Sequence, residues 1–80
     1  MDAEKEILDL ISQRTGYETE RILDSLDFER DLNISRDELV GFISSIEDRF
    51  KISFDNESLE EIKTVGDLKN LALDHLGVFK

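Results

Sequence analysis

Residues 35–50 read SRDELVGFISSIEDRF, and this stretch decides the fold. Leu39, Phe42, Ile43, Ile46 and Phe50 recur at steps of three and four, which places them on one face of a helix. Ser35 followed three residues later by Glu38 is a capping box, in which each side chain satisfies a backbone N–H left unpaired at a helix start. The pattern predicts a helix over 36–50 with Ser35 as its cap. Gly41 lies inside it at a cost of about 1 kcal/mol relative to alanine, which points to close packing or relaxed selection there.

Upstream, Ala3, Ile7, Leu10, Ile11 and Arg14 recur at helical spacing and Gly16 follows as a stop, so a first helix is predicted over 3–15. Between these helices no single period survives, yet Tyr17, Ile22, Leu26, Phe28 and Leu32 are too apolar for a free linker. The expectation is a long loop pinned onto the core, with one short helical turn. Downstream, KISFDN (51–56) reads as an extended connection and ESLEEI (57–62) as a short third helix. Thr64 and Asp67 form a second capping box, opening a helix over 65–76 with Val65, Leu68, Leu71, Ala72 and Leu76 inward and Gly77 as its stop. There is no proline, and no strand-like alternation longer than ISF. The predicted fold is all-α: an irregular four-helix bundle, three helices longer and the third short, forming a single domain over 1–80.

Chains of 80 residues bury only about 60–65% of the surface their unfolded form exposes, so one core is expected. Cysteine is absent, which excludes disulfides, thiolate zinc sites and a cysteine nucleophile. Twenty acidic side chains against ten basic ones give a net charge of −10. That balance repels nucleic acid and anionic membranes and favours partners with a basic surface. The start, MDAEKEILDL, is acidic where a signal peptide is basic, and no apolar run approaches the roughly 20 residues that span a bilayer. A cytoplasmic, monomeric protein without membrane association is expected, in which the sequons at Asn33 and Asn56 carry little meaning.

Catalytic chemistry is poorly represented. The only histidine, His75, has no nucleophile or orienting acid that the sequence can nominate, and it reads as a surface or flanking residue of a chain that is not an enzyme. Asp31, Asn33 and Ser35 fall at the first, third and fifth positions of a calcium loop. The sixth position is Arg36 instead of glycine and the twelfth is Phe42 instead of a bidentate glutamate, so no metal site is expected. A glycine-rich phosphate loop is missing as well.

Four landmarks nevertheless keep a recognisable mutual spacing: Gly16 after the first helix, FERDL at 28–32, EDRF at 47–50 and KTVGDL at 63–68. Together they resemble the acyl carrier proteins, whose landmarks include F-x-x-D-L-G-x-D-S-L at the start of the second helix and T-V-G-D-L at the start of the last. The resemblance implies the fold described above and a role in fatty-acid, polyketide or peptide assembly. In that family the serine of D-S-L receives phosphopantetheine, whose thiol carries the acyl group as a thioester. Here the gapless alignment places Arg36 at that serine, Ser35 at the preceding aspartate, Asp37 at the following leucine and Asn33 at the loop glycine. An arginine has no hydroxyl to accept the arm.

Two serines offer themselves instead. Asp24-Ser25-Leu26 keeps the D-S-L letters but precedes FERDL, leaving too little chain for the first helix and its loop, and Ser25 reads as a polar loop residue. Ser35 is the candidate for phosphopantetheine attachment, one residue from the family position at an exposed helix N-terminus. Moving it into register would turn the helix by about 100° and take Leu39, Phe42 and Ile46 off the buried positions. Ser35 is therefore read first as a cap.

In carrier proteins the second helix is also the docking face, and Glu38, Glu47 and Asp48, with Val40 beside them, keep that character here. The resemblance implies partner enzymes with basic docking surfaces, such as acyl synthases or a phosphopantetheinyl transferase. Three readings stay open: an unmodified docking or regulatory relative, a variant carrier through Ser35, and an acidic helical adaptor unrelated to acyl metabolism.

Overall fold

Helix starts are set by side chains that answer unpaired backbone N–H groups, and both predicted capping boxes close. Ser35 Oγ accepts from the Glu38 N–H at 3.2 Å while the Ser35 N–H donates to the Glu38 carboxylate at 3.2 Å. Thr64 and Asp67 exchange the same two bonds, each at 3.2 Å. In the computed structural model, which describes residues 3–77, the helices are α1 (Ala3–Thr15), α2 (Arg36–Phe50), α3 (Asn56–Glu61) and α4 (Val65–His75), with a 3-10 turn at Thr19–Arg21. The all-α, four-helix expectation holds. Helix α3 begins one residue early because Asp55 caps it, accepting from the Ser58 N–H at 2.8 Å. Among the described residues no helix is long and apolar enough to cross a membrane.

Helices α1 and α2 run antiparallel, with Arg14 beside Glu38 at 3.8 Å at one end and Arg49 beside Glu6 at 3.6 Å at the other. Their inward faces meet through Ile7, Ile11, Leu39, Ile43 and Ile46, all buried, and α4 adds Val65, Leu68 and Ala72. The bulkiest fully buried side chain, Phe28, comes from the long loop. Ile34 and Phe54 join the core from connections where helical periodicity gives no signal, and Ile62 joins it from the end of the segment read as the third helix.

Three backbone bonds fasten that loop to the start of α4: the Phe28 N–H donates to Lys63 O, the Val65 N–H to Leu26 O and the Gly66 N–H to Asp24 O, each at 2.9 Å. The clasp is tight enough that a Cβ on Gly66 would lie 3.1 Å from the Asp24 carbonyl oxygen. Beside it, Lys69 donates to Asp24 at 2.7 Å and reaches Glu4 at 3.1 Å, tying α4, the loop and α1 at one point.

Three local expectations are corrected. Tyr17 is 40% exposed and does not pin the loop. Arg14 continues the apolar spacing of α1 but turns outward to Glu38, because a guanidinium gains more from a carboxylate and water than from an apolar seam. Nothing lies within 4 Å of a Cβ built on Gly41, so close packing does not explain that glycine.

The two helical glycines should consequently respond oppositely to one substitution. Gly41→Ala is expected to raise stability by about 0.5–1 kcal/mol, the helix-propensity difference. Gly66→Ala should lower it by about 1 kcal/mol, since the clasp must yield by a few tenths of an ångström. Chemical denaturation of the two variants checks both signs.

Candidate functional site

The residues that depart from the carrier pattern all lie where the loop turns into α2, and the structure sorts them by what each does. Asn33 adopts φ 57, in the left-handed region. That is the conformation a loop glycine supplies, and asparagine is among the side chains that tolerate it best. Ile34 then points inward, 6% exposed, with its N–H donating to Phe28 O at 2.8 Å. Ser35 is the N-cap, and an aspartate there would cap equally well. Asn33 and Ser35 thus supply the left-handed turn and the helix cap at this corner.

Arg36 does not. Its side chain crosses to α3, where Nη1 donates to Ile62 O at 2.8 Å and Nη2 donates to Leu59 O. The guanidinium donates to the Ile62 carbonyl and to the Leu59 carbonyl, which also accepts from the Ile62 N–H at 3.3 Å, and places a positive charge at the negative end of the α3 dipole. Beneath it runs a groove of about 490 Å³ between the loop, the start of α2 and α3, floored by Phe28, Ile34, Leu39 and Ile62.

The turn in front of α2 is organised by carboxylates. Asp27 Oδ1 accepts from the Glu29 and Arg30 N–H groups at 2.9 Å each, and Asp31 Oδ2 accepts from the Asp27 N–H at 2.8 Å. The Arg30 N–H first, then that of Glu29, holds the Asp27 pKa below its ordinary value. Glu38 is likewise lowered, by the Ser35 backbone N–H and then the Ser35 side chain, with Arg14 adding to it. Asp55 is lowered by the Ser58 N–H and side chain.

Of the four residues expected to meet partners, two are engaged in the fold. Glu38 closes the cap and pairs with Arg14, and Glu47 accepts from the Phe54 N–H at 2.7 Å, holding the α2–α3 connection. Val40, 42% exposed, and Asp48 face outward. Asp37, Gly41 and Ser44 are exposed on the same side at helical spacing, a stripe that includes two positions, Asp37 and Ser44, not expected from the sequence to meet partners.

Elsewhere the chemistry stays sparse. Ser25 is an exposed turn residue beside the clasp. His75 lies 3.0 Å from Leu71 O through Nδ1 and stands edge-on to Phe54, with ring centroids 4.8 Å apart. That is a packing role at the end of α4. Among the described residues no cluster of three or more histidine, aspartate or glutamate side chains is arranged to hold a metal ion.

Residues 5–72 match the family described as the phosphopantetheine attachment site. The chain belongs to this family. It is 34% identical over 71 residues to the acyl carrier protein of Lactobacillus acidophilus (strain ATCC 700396 / NCK56 / N2 / NCFM), covering 89% of each chain. The solved structure of the acyl carrier protein from Enterococcus faecalis superposes with a TM-score of 0.78 at 25% identity, over 91% of this chain and 92% of that one. The family's prosthetic group is phosphopantetheine, joined through a serine hydroxyl. At residue 36, which the resemblance aligns with that serine, this chain carries a guanidinium bonded to α3. The hydroxyl next to it, on Ser35, already accepts the capping bond.

The cap can be weighed directly. Ser35→Ala should lower stability by about 1 kcal/mol in denaturant unfolding, the value of an N-cap, whatever else Ser35 does. The lowered carboxylates also set a pH window. A group whose folded pKa lies below its unfolded one stabilises above the unfolded value, near pH 4, and loses that contribution as pH falls through the folded value. Stability should therefore fall below about pH 4, and Glu38→Gln should flatten that limb of a stability–pH curve.

Proposed function

We propose that this chain is an unmodified relative of the acyl carrier proteins that acts by docking to enzymes of fatty-acid, polyketide or peptide assembly, without a phosphopantetheine arm. The observation that carries the reading is the placement of Arg36. At the position where the family keeps its attachment serine, this chain has a side chain whose bonding is directed into its own fold. A chain so built binds and regulates, and catalyses nothing itself. It acts as a monomer in the cytoplasm, where its partners are found.

Docking falls to the exposed stripe of α2. Asp37 and Asp48 stand eleven residues apart, about 16 Å along the axis, with Val40, Gly41 and Ser44 between them. Two carboxylates flanking a small, partly apolar patch suit a basic surface with an apolar contact at its centre. The net charge of −10 speeds the encounter and makes it sensitive to salt. Glu38 and Glu47, tied into the cap and the α2–α3 connection, add to the field more than to the contact.

One observation favours a second reading. Ser35 is exposed at the N-terminus of α2, and its hydroxyl uses only an acceptor in the cap, which supports a variant carrier modified at Ser35.

Incubation with coenzyme A and a broad-specificity phosphopantetheinyl transferase, followed by intact-mass measurement, separates the two. The expected result is an unchanged mass. A gain of one phosphopantetheine that Ser35→Ala abolishes and Ser25→Ala does not would overturn the unmodified reading in favour of the variant carrier. For docking, the double change Asp37→Asn and Asp48→Asn should weaken binding to a basic acyl-assembly enzyme by about threefold to tenfold at low salt and reduce its salt dependence. The same change in binding from Ser12→Ala on α1 would move the contact away from α2.

A further inference from the structure

A second groove, of about 420 Å³, lies between α3 and α4 and takes no residue from α2. Glu61 and Ile62 line it from the end of α3, and Asp67, Leu71 and Asp74 share one face of α4 at helical spacing. Its floor is apolar, with Ile62 buried and Leu71 packed against the core. Carboxylates rim it, and no lining residue among the described residues is basic. The groove differs in this from other parts of the acidic surface. Glu4, Glu6, Asp24 and Glu38 each meet a lysine or arginine of the fold. The Glu61 and Asp74 carboxylates have no hydrogen-bond or ion-pair partner among the described residues. Asp67 gives Oδ2 to the Lys63 and Thr64 N–H groups and keeps its other oxygen. Like charges around one cleft repel each other, and an apolar wall beneath them focuses their field, so a cation laid between them is favoured.

We propose that the α3–α4 groove docks a short basic segment of a partner protein, seating one apolar side chain on Ile62 and Leu71 between lysine or arginine side chains that reach Glu61 and Asp74. Charge complementarity sets the sign of the occupant, and the floor calls for an apolar anchor that a free cation lacks. Asp67 and Asp74 are seven residues apart, about 10 Å along α4, which is the length of about three extended residues. One anchor with a cation on either side therefore fills the groove. A second copy of this chain does not suit it, because a net charge of −10 opposes the approach. The proposal stands apart from docking through α2, since the groove shares no residue with that stripe.

Amide chemical shifts of the isotope-labelled intact chain test it, with a synthetic end-blocked peptide, in which lysine pairs flank a single leucine, as the probe. The largest shifts should fall on Ser58, Glu61, Leu71 and Asp74. The double change Glu61→Gln and Asp74→Asn, which removes no bond among the described residues, should weaken binding about threefold to tenfold at low salt. Replacing the peptide's leucine by serine should weaken it about threefold or more. Asp37→Asn with Asp48→Asn should leave the shifts at those four amides in place. No saturable shifts at the groove, largest shifts on the α2 stripe, or shifts spread evenly over the acidic surface would overturn the proposal. Equal binding at the groove by the serine peptide or by spermine would overturn it too, because attraction of cations alone would then account for the contact.

Discussion

The clasp between residues 24–28 and 63–66 is the constraint on which the rest of this structure depends. A loop of twenty residues between α1 and α2 would ordinarily be mobile, and buried backbone in it would be costly unless every polar group found a partner. Here three backbone bonds to the start of α4 hold the loop against the helices, so that Phe28, Leu32 and Ile34 can serve as core residues. Gly66 makes the approach possible by having no side chain, and Lys69 closes the same corner with two carboxylates. Asp24 and then Glu4 hold the Lys69 pKa above its ordinary value, so the stability this corner supplies is present below about pH 10 and is lost as pH rises through the higher folded value.

Once the loop is fixed, the entry into α2 follows from it. The left-handed turn at Asn33 directs Ile34 inward and leaves Ser35 where its oxygen meets the Glu38 N–H. The departures from the carrier pattern are therefore of different kinds. Asn33 and Ser35 replace residues of equivalent conformational or capping behaviour. Arg36, which the resemblance aligns with the attachment serine, places a charged fork that bonds one helix to another.

Charge is divided in a related way. Asp27, Asp31, Glu38, Glu47, Asp55 and Asp67 accept backbone N–H bonds, so much of the acidity organises turns and helix starts. Asp37 and Asp48 are left to face solvent on α2. A solvated face needs no partner, but one that flanks Val40 and a glycine with open space above it leaves room for a contacting surface to approach closely.

The sequence by itself determined the helices and their caps, because periodicity and hydrogen-bond exchange between residues three apart are local. Ser35 with Glu38, Thr64 with Asp67, and the buried faces of α1, α2 and α4 all follow from spacing along one chain segment. It also shows an arginine, which has no hydroxyl, at the position that the resemblance aligns with the attachment serine. Tertiary structure alone decided what Arg36 bonds to, twenty-three and twenty-six residues away, and that Glu47 serves a turn. The same holds for Ile34 and Phe54, which lie in connections with no period to announce burial, and for the outward turn of Arg14. For Arg36 and Arg14 the deciding partner is distant in sequence, whereas Glu47 reaches seven residues ahead to a turn whose course no local period announces.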